Sequence, residues 1–380
     1  MKGIRILLLI FAMFALAVMP AFASDTIKIG AILSVTGPAS FLGAPEANTL
    51  KMLAEEINAK GGVRGKKIEL IIKDSGASPE KAISFAKQLI EEEKVFAIIG
   101  PSTSGETLKI KGICEKGKTI CISCAAAERI VNPVAKYVFK TPQKDSFAAR
   151  KIFMQMKKMG IKKIGVVVGN TGFGKAGKAQ LEKIAPEYGI DIVISEVYDK
   201  KATDLTALVT KLKAKGVEAV VNWSIVPAQS IIAKNMRQIG LNVPLFQSHG
   251  FGNIKYVKAA GAAAEGIIFP AGRLLVAEEL PDTNPQKPVL MKYKRDYESR
   301  YHEEASTFGG HAYDAFMILV KAIKKAGFDK EKVRDAIENM KGFVGTGGIF
   351  NFSPTDHNGL DIDSFEMLTV KNGKFVLLEK

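Results

Sequence analysis

Three loops bring together the residue types that could meet a ligand, each at the end of an apolar run. In the first, Gly169-Asn-Thr-Gly172-Phe173-Gly174-Lys175-Ala176-Gly177 fits both G-x4-G-K and G-x-G-x-x-G, the two patterns that cradle nucleotide phosphates. Ala176 stands where a phosphate loop needs Ser or Thr to hold magnesium, and Glu196 is only a loosely placed ribose partner. The competing reading is a tight strand-to-helix turn whose helix start faces a cleft, with amides that suit an anion. The second loop is Gly100-Pro-Ser102-Thr103-Ser104-Gly-Glu106. Thr103 and Glu106 have capping-box spacing, so one hydroxyl caps a helix while another is left, with the exposed amides, to hold a carboxylate. In the third, Ser123-Cys124-Ala125-Ala126-Ala127, small side chains let a ligand approach the backbone. A packed loop is the plain alternative for the second and third.

Constellations for catalysis are absent. The four histidines, His249, His302, His311 and His357, form no H-E-x-x-H, and no G-x-S-x-G elbow occurs, Gly100 to Gly105 being one residue too long. Nothing singles out a pair of carboxylates for glycoside chemistry. The expectation is a binding protein with no catalytic residue, no metal and no cofactor. Cys114, Cys121 and Cys124 are too few for a disulfide framework; they read as one bridge with a spare thiol, or as small buried apolar residues. A zinc site would need a second ligand pair beside Cys121 and Cys124.

These loops need strands and helices to position them, and the chain alternates the two. Strand candidates are Ile27 to Leu33, Ile68 to Ile72, Phe96 to Ile99, Thr119 to Ser123, Ile164 to Val168, Ile190 to Val197, Val217 to Asn222 and Pro244 to Gln247. Amphipathic runs separate them, such as Ala44 to Lys60, and Ser78-Pro79 carries an N-cap and a first-turn proline. Mostly unbroken apolar strands linked by helices imply parallel sheets covered on both faces. From Lys287 the chain reads as helical through Met340, and Phe365 to Val370 with Phe375 to Leu378 reads as a closing hairpin around Asn372-Gly373. Length and the lack of a flexible linker point to two interwoven lobes with a cleft between them.

Composition limits the setting. The 380 residues carry 54 Lys and Arg against 39 Asp and Glu, a net charge of +15. The lysines are scattered as pairs, such as Lys162-Lys163 and Lys324-Lys325, without a basic arm or interleaved aromatics, so they read as solvated faces and not as a nucleic-acid footprint. Lys2 and Arg5, an apolar run from Ile6 to Met19 and Ala21-Phe22-Ala23 form a secretory signal, with cleavage expected after Ala23 and a periplasmic product. The run is shorter than the roughly 20 residues of a spanning helix. No exposed apolar stripe is evident, so a monomer is expected.

Asn58-Ala-Lys60-Gly-Gly62-Val-Arg64-Gly65, followed by a strand ending at Asp74, resembles the early signature of branched-chain amino acid binding proteins, the periplasmic receptors of ATP-driven importers. Thr36-Gly37-Pro38, the Ser102 to Ser104 loop, Ala125 to Ala127, Phe173-Gly174, the Ala228 to Gly240 helix and Ala264-Glu265-Gly266 are similar in order and spacing. The resemblance implies a type I periplasmic binding fold: two doubly wound α/β lobes joined by a three-strand hinge. It places one lobe at residues 24–142 plus about 273–362 and the other at about 143–272 plus 363–380. By the same resemblance, a membrane permease is the partner. The ligand carboxylate would be held by Ser104, Ala125 and the position of Ala127, with Ser102, Thr103 and Ala126 beside them. Phe173 would cover the ligand from the second lobe, with Ile225 and Trp223 near another aromatic position and Phe41 as a further wall.

Two departures stand out. The family commonly has threonine at the Ala127 position, and an acid near position 249 that pairs with the ligand ammonium, where this chain has His249. A buried ammonium without a carboxylate is costly, whereas histidine favours a carboxylate or hydroxyl. The expected ligand is an amino acid or a related small carboxylate, and the alternatives are a receptor for aromatic or other organic acids or a ligand-sensing module without transport.

Overall fold

The computed structural model describes residues 26–379, so the expected leader and its cleavage site lie outside the described residues. The first lobe opens with β1 (Thr26–Leu33), α1 (Ser40–Ala59), β2 (Lys67–Asp74), α2 (Pro79–Lys87), β3 (Ala97–Ile99), α3 (Ser104–Lys116), β4 (Ile120–Ser123) and β5 (Val138–Lys140). The strands form one parallel sheet in the order β2-β1-β3-β4-β5. Its apolar runs are unbroken because both faces are covered, with successive side chains pointing to opposite sides. Ile29, Ala31 and Leu33 join one core with Ala97, Ile99, Ile120 and Ile122, while Ile32, Ile98 and Cys121 join another with Ala82, Ala86 and Ile110.

The second lobe continues with α4 (Asp145–Lys158), β6 (Lys163–Gly169), α5 (Gly172–Ile184), β7 (Asp191–Tyr198), α6 (Thr206–Ala214), β8 (Ala219–Trp223), α7 (Ala228–Gln238), β9 (Leu245–Gln247), α8 (Ile254–Ala260) and β10 (Ile268–Ala271). The chain then returns to the first lobe for α9 (Lys287–Tyr301), α10 (Thr307–Ala326), α11 (Lys330–Glu338) and the small hairpin β11 (Phe343–Val344) and β12 (Ile349–Phe350). It ends in the second sheet with β13 (Glu366–Lys371) and β14 (Lys374–Leu377). That sheet runs β14-β13-β10-β9-β8-β6-β7 and is parallel except for its last two strands, which pair antiparallel at the β10 edge. Between β13 and β14, Asn372 and Gly373 both take positive φ (53° and 71°), the backbone twist that a two-residue hairpin requires.

The chain therefore passes between the sheets three times: after β5, after β10 and before β13. The expected class, two doubly wound α/β lobes joined by three crossings, is the one observed. The mostly helical stretch expected from Lys287 through Met340 is there, divided into three helices. Ser306 starts α10 by capping the Gly309 amide (3.4 Å), and Asp329 starts α11 by capping that of Lys332 (3.0 Å). The three-residue β5 escaped the sequence pattern because it is too short to show a period; its pairing with Cys121–Ser123 defines it. Among the described residues no helix is long and apolar enough to cross a membrane. The three cysteines are buried and unbonded.

Candidate functional site

The ends of β3, β4, β8 and β9 point into the space between the lobes, where a cavity lies. Carboxyl ends of parallel strands are where open α/β sheets bind ligands. Ser102, Thr103, Ser104, Ala125 and Ala126 line it from the first lobe, and Phe173, Ile225 and His249 from the second. Thr103, Phe173 and Ile225 also face an outer space of about 650 Å³ between the lobes.

Much of the first-lobe wall is committed to holding itself together. The Ser102 hydroxyl donates to Glu46 and accepts from the Ser34 amide (3.0 Å). Thr103 caps α3 through the Glu106 amide (3.4 Å) and donates its hydroxyl to the Glu106 carboxylate (2.5 Å), which also accepts from Ser34 (3.0 Å). Burial pushes both carboxyls up, that of Glu46 to about 8, so these acids are internal struts. The resemblance gave the ligand carboxylate to Ser104, Ala125 and the Ala127 position. The Ala125 amide instead donates to Ser123 (3.1 Å), and the Ala127 amide to Ser104 Oγ (3.2 Å). Ala127 lies behind the cavity wall. Ser104 accepts that bond, which does not use its own hydroxyl proton.

Behind the loop, the fully buried Lys140 donates to the carbonyls of Ala126 (2.7 Å), Pro142 (2.8 Å) and Gln143 (3.0 Å). It thus ties the ligand loop to the first crossing between lobes. Burial lowers its pKa, and Asp145 opposes that shift.

Phe173, Ile225 and His249 form the second-lobe wall, with Trp223 behind them. The nucleotide-like glycines are explained here by close packing. A Cβ on Gly174 would lie 2.0 Å from the Gly169 carbonyl, and one on Gly177 would lie 2.1 Å from the Trp223 indole nitrogen. Thr171 caps α5 through the Gly174 amide (3.0 Å). The segment is the tight strand-to-helix turn facing the cleft. Trp223 is buried beneath α5 and does not line the cavity. It supports Phe173 and His249, each with ring centroids 5.6 Å from its own. Ile225 lines the cavity with its side chain, while its carbonyl accepts from Tyr256 Oη (2.6 Å).

His249 follows β9 in a turn that Ser248 caps through the Gly250 amide (3.2 Å). Phe173, Trp223 and Phe365 surround its ring edge-on, with centroids 5.2–5.6 Å away. Neither ring nitrogen has a hydrogen-bond partner. Burial first, then Lys140 and His311, hold its pKa well below the usual imidazole range, so it is neutral.

Phe41 is not in the cavity wall. On α1 it is the neighbouring Leu42 that faces inward, while the half-buried Phe41 packs edge-on against Tyr256 of the other lobe (5.1 Å). Sequence reasoning also missed Cys124, Pro142, Gly250, Phe308 and His311 as lining residues. Cys124 lies within the third loop, though it was not taken as a ligand contact, and Gly250 adjoins His249. Phe308 and His311 belong to a buried amphipathic helix whose spacing reads as core. Among the described residues, no Asp or Glu lines this cavity, and none of the His, Cys, Asp and Glu side chains cluster as a metal site.

Known proteins share this arrangement. The Pseudomonas aeruginosa leucine-, isoleucine-, valine-, threonine- and alanine-binding protein is 27% identical over 372 residues, 96% of each chain. A solved extracellular ligand-binding receptor from Rhodopseudomonas palustris HaA2 superposes with a TM-score of 0.87 at 28% identity, covering 93% of this chain and 99% of that one. The branched-chain amino acid transporter substrate-binding protein of Streptococcus pneumoniae, solved with isoleucine, gives 0.82 at 29% identity over 92% and 97%. Residues 26–374 match the family described as periplasmic binding protein, and with two lobes, three crossings and a cleft of this form the chain belongs to that family.

Proposed function

We propose that this protein is the solute-binding receptor of an ABC importer and that its ligand is a small organic carboxylate without an ammonium group. The observation that carries the ligand class is the cavity lining: a Ser104 hydroxyl and an unpartnered His249 imidazole, with no acid. A buried ammonium left without a carboxylate loses several kcal/mol. The chain is exported after cleavage at Ala23 and works as a monomer. Its lobes, residues 24–142 plus about 273–362 and about 143–272 plus 363–380, close on the ligand by hinging at the three crossings. The closed form docks on a membrane permease.

A second reading, a branched-chain amino acid, is favoured by the relatives: one is named for leucine and its neighbours, and another holds isoleucine. Thermal melting of residues 24–380, unfolded and refolded to strip carried ligand, separates the two. At 100 times its dissociation constant a ligand adds about 2.7 kcal/mol of stability. Stabilisation by benzoate, hydroxybenzoates or aliphatic acids, and not by leucine, isoleucine, valine or phenylalanine, is the expected result. The reverse pattern restores the amino acid.

A further inference from the structure

We infer that His311, from the first lobe, and His249, from the second, form a two-imidazole clamp for a hydroxyl group on the bound acid, so that the receptor selects hydroxylated acids over their unsubstituted counterparts. The inference rests on the reading of the ligand as an acid without an ammonium.

Both rings line the one cavity, and both residues are more than nine-tenths buried, 6% and 7% exposed. Buried polar atoms in folded proteins are nearly always paired. Here three imidazole nitrogens have no protein partner: Nδ1 of His311 and both nitrogens of His249. Of the rings around them only Trp223 carries a polar atom, an indole N–H that is itself without a partner. His249 is enclosed by Phe173, Trp223 and Phe365, and the nearest ring to His311 is Phe308, 6.5 Å away and edge-on. His311 is fixed on α10, whose backbone at this point accepts the Thr141 hydroxyl (2.9 Å) beside the first crossing. A ligand held between the lobes therefore meets one imidazole from each.

The protonation state chooses the ligand group. Burial and the nearby Lys140 push both imidazoles down, His311 to about 3, so each is neutral and offers one N–H donor and one bare acceptor nitrogen. A hydroxyl both donates and accepts, and so pairs with an N–H of one ring and the bare nitrogen of the other. A second carboxylate only accepts and would leave the acceptor nitrogens facing a negative charge. An ammonium only donates, so it would pair with the bare nitrogens but leave the N–H groups unpaired and its own charge without a carboxylate. A plain hydrocarbon leaves every nitrogen unpaired. A site built to pair with a hydroxyl rejects the analogue that lacks it.

The test is isothermal titration of the refolded mature chain with two matched sets: benzoate against 3- and 4-hydroxybenzoate, and hexanoate against 6-hydroxyhexanoate. A hydroxylated member is expected to bind at least tenfold tighter than its counterpart. That ratio should fall towards one in His311→Phe and in His249→Phe, keep part of its value in His311→Gln, and persist in His302→Asn at the surface. If a phenylalanine variant does not fold, nitrogen NMR of the histidines in the wild type replaces it: both imidazoles must shift with the hydroxylated acid beyond their shift with its counterpart. Acids binding without regard to the hydroxyl, or a ratio that survives His311→Phe, overturn the clamp and leave the carboxylate reading standing. Leucine binding with no acid bound overturns that reading and the clamp with it.

Discussion

His311 ties the chemistry of the cavity to the stability of the fold. Its imidazole is held neutral in the native protein, with a pKa pushed down to about 3 by burial and by Lys140, whereas in the unfolded chain it titrates near 6.5. Below pH 6.5 the unfolded chain takes up a proton that the native protein refuses until about pH 3, so this residue costs stability as pH falls through that window. Buried Glu46 and Asp314 act the other way, with carboxyls raised to about 8 and about 7, so their contribution declines as pH rises from the ordinary carboxylate range. A comparison of variants isolates the histidine. In urea unfolding, the stability of the wild type minus that of His311→Phe should drop by on the order of 2 kcal/mol between pH 7 and pH 4.5. A difference that does not change with pH would show that His311 is already charged, or solvated, in the native protein.

At the level of elements, the start of α5 shows both what the sequence reveals and what it hides. Its glycine spacing marked a tight turn after an apolar strand, and the turn is there. The choice between a phosphate cradle and a packing contact was not legible, because the contact partner, Trp223, is distant in the chain. The same limit recurs in the site. Loops after β3, β4 and β6 could be read because each ends an apolar run, whereas Ile225 and His249, after β8 and β9, came only from the family resemblance. His311 could not be read, since a buried helix with apolar spacing looks like core wherever its polar residues point. Phe41 and Leu42 differ by one position on α1, and the burial pattern alone does not fix which of them turns towards the cleft. The packing account of Gly177 has a direct check. Trp223 is the only tryptophan in the chain, so intrinsic tryptophan fluorescence reports on the surroundings of this one ring, the Gly177 contact among them. Gly177→Ala should shift its emission and destabilise the protein by roughly 1–3 kcal/mol, the usual range for overpacking. Unchanged emission with full stability would mean that α5 stands further from β8 than described here.

For the whole molecule, the question is what the lobes touch when they close. The Gly252 carbonyl of the second lobe accepts from the Thr307 amide and hydroxyl of the first (3.1 and 3.2 Å). Lys255 and Lys258 pair with Glu303 and Glu304, but exposed ion pairs of this kind contribute little. The lobes also come together at glycines at the starts of α3 and α5, where two positive helix ends meet. The contact is asymmetric. A Cβ on Gly172 would lie 2.5 Å from the Gly105 Cα, while one on Gly105 would lie 3.6 Å from the Gly172 nitrogen, an ordinary contact. Gly172→Ala therefore sets a methyl against the backbone of the opposite lobe and opposes closure, whereas Gly105→Ala does not. Neither glycine itself lines the inner cavity, although each adjoins a residue that does, Ser104 and Phe173. With whichever compound stabilises the wild type, Gly172→Ala should weaken binding about tenfold and reduce the compaction seen by solution scattering on ligand addition. Gly105→Ala should keep both, and melting without ligand should be similar for the two. Equal effects from both variants would mean that closure does not need this contact, and that affinity is set inside the cavity alone.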